Sequence, residues 1–454
     1  MSNIIVRFPP SPTGHAHIGS YRTAIFNYLF AKKQGGKFLL RIEDTDKERS
    51  KLEYQEGILE SLEWLGLKHD GFSIQTENLE AHKKAIQQLI AADKAYVSKE
   101  EAKDGSGVIK EIVRFRNPNK VVTFTDLILG DITVDTTDLG DFVIARNVED
   151  PLYHLAVVVD DINSEVTHVI RGMDHISNTP RQILLIEALG HTVPNYAHIP
   201  LVLGEDKQKL SKRKGALSVL EYKKRGYLPS AVINCASFIG FNPGGEKEIY
   251  TVDELIEAFD ISKVQKGGAV FNPVKLDWFN QEHMKLLSEE EYIKHVTPFV
   301  PAALAEKVEP DTLRKILLVV RDRLAYAGQL ETLETDSLYM FTSPYDNFIG
   351  DAKNLLLVPE KMRKGAEVTV ESTKEILMQV KSIIEKTDNT DFASVEQIKS
   401  KVWNYAEEKG RGIVLWPLRI ALTLQEKSVD PFSMLYILGK EESLVRIGRA
   451  IATL

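Results

Sequence analysis

Two short segments carry residue types that could work on a phosphoanhydride. The first is His15-Ala16-His17-Ile18-Gly19, where an apolar strand gives way to a helix. A helix N-terminus there offers free N–H groups and a positive dipole to an anion. Gly19 removes a side chain, so a flat base or a ribose can approach the backbone. His17 can donate a hydrogen bond to a phosphate whose charge grows in the transition state. A bare His-x-Gly is more often an ordinary turn, but the frame Pro10-Ser11-Pro12-Thr13-Gly14 ahead of it favours the chemical reading. The second segment is Lys209-Leu210-Ser211-Lys212-Arg213. Its two lysines and arginine suit a loop that neutralises the β and γ phosphates of ATP. With pyrophosphate as leaving group, cations placed there lower the barrier directly. Taken alone, such a basic pentapeptide is usually exposed surface.

These segments need a frame that brings them together. Residues 4–8 read as a buried strand, 9–14 as a Pro-rich loop, 20–33 as a helix stopped by Gly35-Gly36, and 37–42 as a second strand. This β–loop–α–β unit predicts a parallel sheet, with ligands outside the carboxyl ends of its strands. Helices are predicted near 53–65 and 79–93. The stretch 96–150 holds short β-rich runs separated by Gly and Asp, read as an antiparallel insertion. The α/β pattern returns with apolar runs at Tyr153–Val159 and Val166–Arg171, a helix over 179–189, and Ala197–Leu203. Beyond about residue 228 helices dominate, and after 290 the chain reads as wholly helical, with a capping box at Ser394–Gln397.

Composition bounds the rest. At 454 residues, with 43% hydrophobic and 27% charged residues, a folded chain of several domains is expected. The single cysteine, Cys235, rules out an intramolecular disulfide and a Cys-based zinc site. It fits a reducing, cytoplasmic setting. Neither a signal peptide nor a membrane span is expected. The net charge of −8 argues weakly against a polyanionic partner, yet basic clusters occur at Lys207–Lys214, Lys223–Arg225 and Arg314–Arg323.

Taken together, the His-Ile-Gly and Lys-Leu-Ser-Lys-Arg segments, about two hundred residues apart on an α/β frame, resemble the class I aminoacyl-tRNA synthetases. The wording is closer still to the bacterial-type glutamyl-tRNA synthetases. Ser11-Pro12-Thr13-Gly14, Arg22-Thr23-Ala24, Arg41-Ile42-Glu43-Asp44-Thr45-Asp46, Val159-Asp160-Asp161 and Thr179-Pro180-Arg181-Gln182 match that family. So do Tyr227-Leu228-Pro229 and Leu438-Gly439-Lys440-Glu441-Glu442. The resemblance covers essentially the whole chain and is weakest over 96–150.

The resemblance implies a doubly wound, Rossmann-like parallel-sheet catalytic domain in two halves, 1–95 and 151–228. A β-rich acceptor-end insertion would occupy 96–150, a connecting stem-contact domain 229–289, and a helical anticodon-binding domain 290–454. It implies ligation of L-glutamate to the 3′ end of tRNA(Glu) through a glutamyl-adenylate, with ATP and Mg²⁺, releasing AMP and pyrophosphate. A ribose hydroxyl of the tRNA, the 2′ one by class I analogy, would then take the glutamyl group. Activation in this family tends to wait for tRNA, which would make the pocket assemble by induced fit. A monomer is expected. Whether tRNA(Gln) is charged as well rests on anticodon-facing residues that the sequence does not identify.

Arginine suits bidentate carboxylate recognition, and Arg7 and Arg171 end two predicted strands. Glu43 could pair with the substrate ammonium, while Tyr153 and Ser11 could add hydroxyl contacts. By resemblance all five bind glutamate, with Arg7 and Tyr153 favoured for the side-chain carboxylate; which arginine takes which end stays open. Catalysis is assigned to His17 and Lys212, with Lys209 secondary, and needs no protein nucleophile. His17, Gly19, Asp174, His175, Leu201, Lys209 and Lys212 would line the nucleotide side.

Three departures from the family stand out. The insertion is short and lacks the cysteines of some relatives, with Tyr96-Val97-Ser98 where a Cys-rich stretch could begin, so no zinc is expected. Met173 stands where an acidic residue is common, and His15-Ala16 replaces an aromatic–apolar pair. Rival readings are a transferase of glutamate onto a tRNA base, a small-molecule adenylyltransferase, and a non-catalytic tRNA-binding paralogue. The basic segment, the late helical region and the intact His17, Gly19, Lys209 and Lys212 weigh against them.

Overall fold

Ile5–Phe8 (β1), Lys37–Ile42 (β2) and Gly71–Ile74 (β3) pair in parallel in the computed structural model, with Val6 opposite Phe38 and Leu40 opposite Phe72. The structure describes residues 4–101, 109–210, 217–333, 352–363 and 367–454. Strand β1 is buried at all four positions, as a parallel strand covered on both faces must be. Between β1 and β2 runs helix α1 (Ile18–Lys33), which buries Ala24, Ile25, Phe26 and Leu29. Gly35, at φ +63°, then turns the chain out of it. Helices α2 (Leu52–Leu65) and α3 (Leu79–Ala91) follow close to their predicted spans.

The chain then builds an antiparallel sheet from Ala95–Glu101 (β4), Ile109–Phe115 (β5), Phe142–Asn147 (β8) and Asp150–Pro151 (β9). Between β5 and β8 lies a hairpin of Val121–Asp126 (β6) and Gly130–Asp135 (β7). Two outcomes differ from the sequence reading. The hairpin is not confined to the insertion: it joins the sheet of His168–Gly172 (β10) and Asn195–Ile199 (β11), where Tyr196 pairs with Asp126 and Leu127 N donates to Tyr196 O at 2.8 Å. Val113, Phe115, Phe124 and Ile144 share one core with Leu89, Leu155, Val169 and Leu185.

The second is Tyr153–Val159: the apolar run placed in the returning α/β pattern is the start of helix α4 (Tyr153–Asn163). Leu155 to Val159 are all buried, and a short apolar run buried all round carries no period that separates helix from strand. Thr167 N donates to Ile5 O at 2.9 Å, linking the start of β10 to β1. Helix α5 (Thr179–Ala188) connects β10 to β11, a right-handed crossover being the rule for such parallel strands. The first unit, 1–283, is completed by β12 (Val202–Leu203) and β13 (Ala269–Val270) and by helices α6 (Val219–Lys224), α7 (Pro229–Ser237) and α8 (Val252–Ala258). Helix α9 (Pro273–Leu286) contains the boundary. Cys235 lies buried in α7, where burial pushes its thiol up to about 12.

The second unit, 284–454, contains no strand among its described residues. Its principal helices are Val370–Lys386, Val395–Lys409, Arg411–Thr423 and Pro431–Thr453. Their apolar faces meet through Leu377, Val402, Leu418, Leu435 and Ile447, each no more than 1% exposed. Gly410, at φ +102°, breaks the chain between Val395–Lys409 and Arg411–Thr423. Ser394 caps its helix by accepting from Gln397 N at 3.2 Å, half of the reciprocal box expected there. Among the described residues no helix is long and apolar enough to cross a membrane.

Candidate functional site

The carboxyl ends of β1, β2 and β10 open onto one cavity of about 470 Å³. Arg7, Ser11, His17, Gly19, Glu43, Tyr153, Arg171, Asp174, His175, Leu201 and Lys209 all line it. The structure thus gathers every described residue singled out from sequence. Lys212, with Ser211 and Arg213, lies outside the described residues.

One end of the cavity is built by the start of α1. His17 is the helix N-cap, and its Nδ1 accepts from Gly19 N at 3.1 Å. An accepting Nδ1 carries no proton, so the neutral ring bears its N–H on Nε2, as a hydrogen-bond donor. Gly19 is needed because a Cβ there would come within 2.9 Å of His17 Cε1. Gly19→Ala is therefore expected to push the imidazole aside. The rate of the expected adenylate formation should fall on the order of tenfold to a hundredfold, with melting temperature little changed. Rapid-quench activation assays beside thermal melts check this. Elsewhere in the lining, Lys209 Nζ lies 2.7 Å from Asp174 Oδ2. Burial would raise that carboxyl, but the Lys209 and His175 charges hold it below the usual range.

The lining also holds buried charge. Arg7, 2% exposed, donates from Nε and Nη2 to both oxygens of Asp161 at 3.1–3.3 Å. Its Nη1 is buried without a hydrogen-bond partner among the described residues. Asp161 also takes Arg41 Nη1 at 2.8 Å, and Arg41 Nη2 reaches Glu43 Oε1 at 3.1 Å. Burial lifts the Glu43 carboxyl above its ordinary value despite Arg41 and Arg7. Asp160, behind them, accepts from Gln75 Nε2 at 2.9 Å and Asn78 Nδ2 at 3.1 Å and sits 2.8 Å from His82 Nε2. Tyr153 OH lies 3.2 Å from His175 Nδ1.

Arg171 differs from Arg7 in its company. It is 5% exposed, and its donors go to His198 Nε2 at 3.1 Å, Gln182 Oε1 at 2.7 Å and Thr179 Oγ1 at 2.8 Å. All three acceptors are neutral. Among the described residues no carboxylate lies within ion-pair distance of it, although burial of an uncompensated cation is costly. The wall of the cavity therefore presents a guanidinium suited to an incoming anion. Sequence reasoning gave no role to Arg41, Asp160 or Asp161, though they stood in matched motifs. It missed Gln75, His82, Asp126 and His198 altogether, since nothing in their spacing marks them.

Comparison with known proteins supplies the context. The catalytic-domain profile of "tRNA synthetases class I (E and Q)" matches residues 3–104 and 98–278, and that of an anticodon binding domain matches 291–451. A glutamate–tRNA ligase of Aquifex aeolicus is 37% identical over 492 residues, covering 100% of both chains. One from Heliobacterium modesticaldum is 34% identical over 497 residues, covering 99% of this chain and 97% of the relative. The crystal structure of a glutamate tRNA ligase from Elizabethkingia meningosepticum, in complex with its amino acid, superposes with a TM-score of 0.81 at 30% identity, covering 100% of both chains.

Proposed function

Because the chain belongs to the class I tRNA synthetases for glutamate and glutamine, we propose that this cavity is where glutamate and ATP react. The enzyme is a glutamate–tRNA ligase: it activates glutamate as an adenylate and transfers it to tRNA. In the first step an α-carboxylate oxygen forms a bond to the α-phosphorus of ATP, and the bond to the β-phosphate oxygen breaks. Pyrophosphate leaves, and in the second step a ribose hydroxyl of the tRNA displaces AMP.

Within that chemistry we assign Arg171 to the α-carboxylate and the unpartnered Nη1 of Arg7, with Tyr153, to the side-chain carboxylate. Glu43 and Ser11 take the ammonium end. The observation that carries this assignment is the buried Arg171 with three neutral acceptors, in the same cavity as the His17–Gly19 helix start. Such a cation keeps its full charge for a ligand. His17, as an Nε2 donor, stabilises the phosphate, Gly19 and Leu201 admit the nucleotide, and Asp174 and His175 flank it. Lys209 and Lys212 neutralise the leaving pyrophosphate, Lys209 by exchanging Asp174 for phosphate. Mg²⁺ would be held mainly by ATP oxygens, for among the described residues no His, Cys, Asp and Glu cluster forms a metal cage. The β-rich insertion would hold the acceptor end and the helical unit would read the anticodon of tRNA(Glu), and of tRNA(Gln) if that is also charged. A zinc-free cytoplasmic monomer completes the proposal.

Pyrophosphate exchange tests it. Exchange that needs glutamate and tRNA together is the expected result, and none under any condition would leave only a binding module. Lys212→Ala should slow exchange on the order of a hundredfold. Its glutamate KM should stay within about threefold of the parent, because a leaving-group contact acts on the transition state. A defect confined to glutamate binding would remove Lys212 from this role.

A further inference from the structure

Arg171 is fixed by a relay that begins outside the cavity, on the insertion hairpin. Asp126, the last residue of β6, is 2% exposed. Its Oδ1 accepts from Ile128 N and Leu129 N, both at 2.9 Å. Its Oδ2 accepts from His198 N at 2.9 Å and lies 2.7 Å from His198 Nδ1. A carboxylate with this many N–H partners is an acceptor, so His198 Nδ1 carries the proton and Nε2 is left as a bare lone pair. That lone pair faces Arg171 Nε, which can only donate, at 3.1 Å. His198 is wholly buried, and Tyr196 stacks flat beside it with ring planes 9° apart. An imidazole in this tautomer orients the guanidinium without cancelling its charge, which a carboxylate in the same place would do.

We propose that Asp126 and His198 are positioning residues for glutamate binding: they lock the orientation of Arg171, which makes the end of β6 a working part of the substrate pocket. The proposal rests on the reading that Arg171 binds a glutamate carboxylate. His198 Nε2 also lies 3.1 Å from Thr179 Oγ1, itself an acceptor for Arg171 Nη2, so both contacts converge on Arg171 and the contribution concerns the amino acid and not the nucleotide.

The test uses the full-length enzyme with tRNA, and aminoacylation is measured with glutamate and ATP varied in turn. In His198→Gln the fixed imidazole is gone. In Asp126→Asn, an amide NH₂ facing His198 would turn Nδ1 into an acceptor and put the proton on Nε2, against the Arg171 donors. Each variant should raise the glutamate KM about tenfold to a hundredfold, while the ATP KM and kcat stay within about threefold. Arg171→Ala combined with His198→Gln should be no worse than Arg171→Ala alone, since the histidine acts through the arginine. A glutamate KM within about twofold of the parent in both variants overturns the proposal. So do equal rises in both KM values, effects that multiply in the double variant, or failure of both variants to fold, which assigns the relay to stability. If Arg171→Ala itself leaves the glutamate KM unchanged, it is the assignment of Arg171 that falls.

Discussion

Arg171→Ala is expected to raise the KM for glutamate by two to three orders of magnitude, from the roughly 2–5 kcal/mol that truncating one partner of a buried charge pair removes. The size of the effect follows from burial and company. The side chain is 5% exposed and its partners His198, Gln182 and Thr179 carry no charge, so among the described residues no carboxylate at ion-pair distance competes with the substrate for the guanidinium. Arg171→Lys should recover little, because an ammonium cannot reproduce the fork that spans three acceptors and a carboxylate. Steady-state aminoacylation over a wide range of glutamate concentrations checks both. An unchanged KM in Arg171→Ala would mean that the amino acid is held elsewhere.

Asp161→Ala should show its effect first in stability. Asp161 is the shared partner of Arg7 and Arg41, which are each 2% exposed. Removing it leaves two buried cations short of a counter-charge, a loss of about 3–5 kcal/mol. For a unit of this size that lowers the melting temperature by roughly 5–9 °C. Burial would raise the Asp161 carboxyl, but Arg7 and Arg41 outweigh it and hold it below the ordinary value. The folded state thus binds this proton less readily than the unfolded chain. The stabilisation is complete above the unfolded value of about 3.9 and is lost as the pH falls through the lower folded one. Parent and variant should therefore differ most near neutral pH and converge in acid. Melting curves at several pH values decide it, and equal melting temperatures at pH 7 would sink the account.

The difference between these two arginines was invisible before folding. Arg7, Glu43 and Arg171 could be put near one pocket because each ends a strand of a predicted parallel sheet, and ligands gather at those ends. The starts of α1 and of the basic segment were legible for the same reason: loops at strand ends carry types that make no sense in a core. The partners of those arginines carry no such mark. Asp126 and His198 are 72 residues apart, and only the pairing of β6 with β11 brings them together. That pairing was hidden because alternating strands in an insertion read as a sheet of their own. Tyr153–Val159 misled through composition, since a valine-rich run buried on every side fits either a strand or an interior helix. The order of elements was local information; the wiring behind the pocket was not.

Cys235 carries an experimental convenience. The only thiol in the sequence is buried in α7 and held protonated, so maleimides and other alkylating dyes should pass over the folded enzyme. A reporter cysteine placed at exposed Val121, on the β6–β7 hairpin, or at exposed Val445, in the last helix, would be labelled alone, without first stripping the native protein of sulfur. Fluorophores at the two sites could then follow, in real time, how hairpin and helical unit respond when a tRNA arrives.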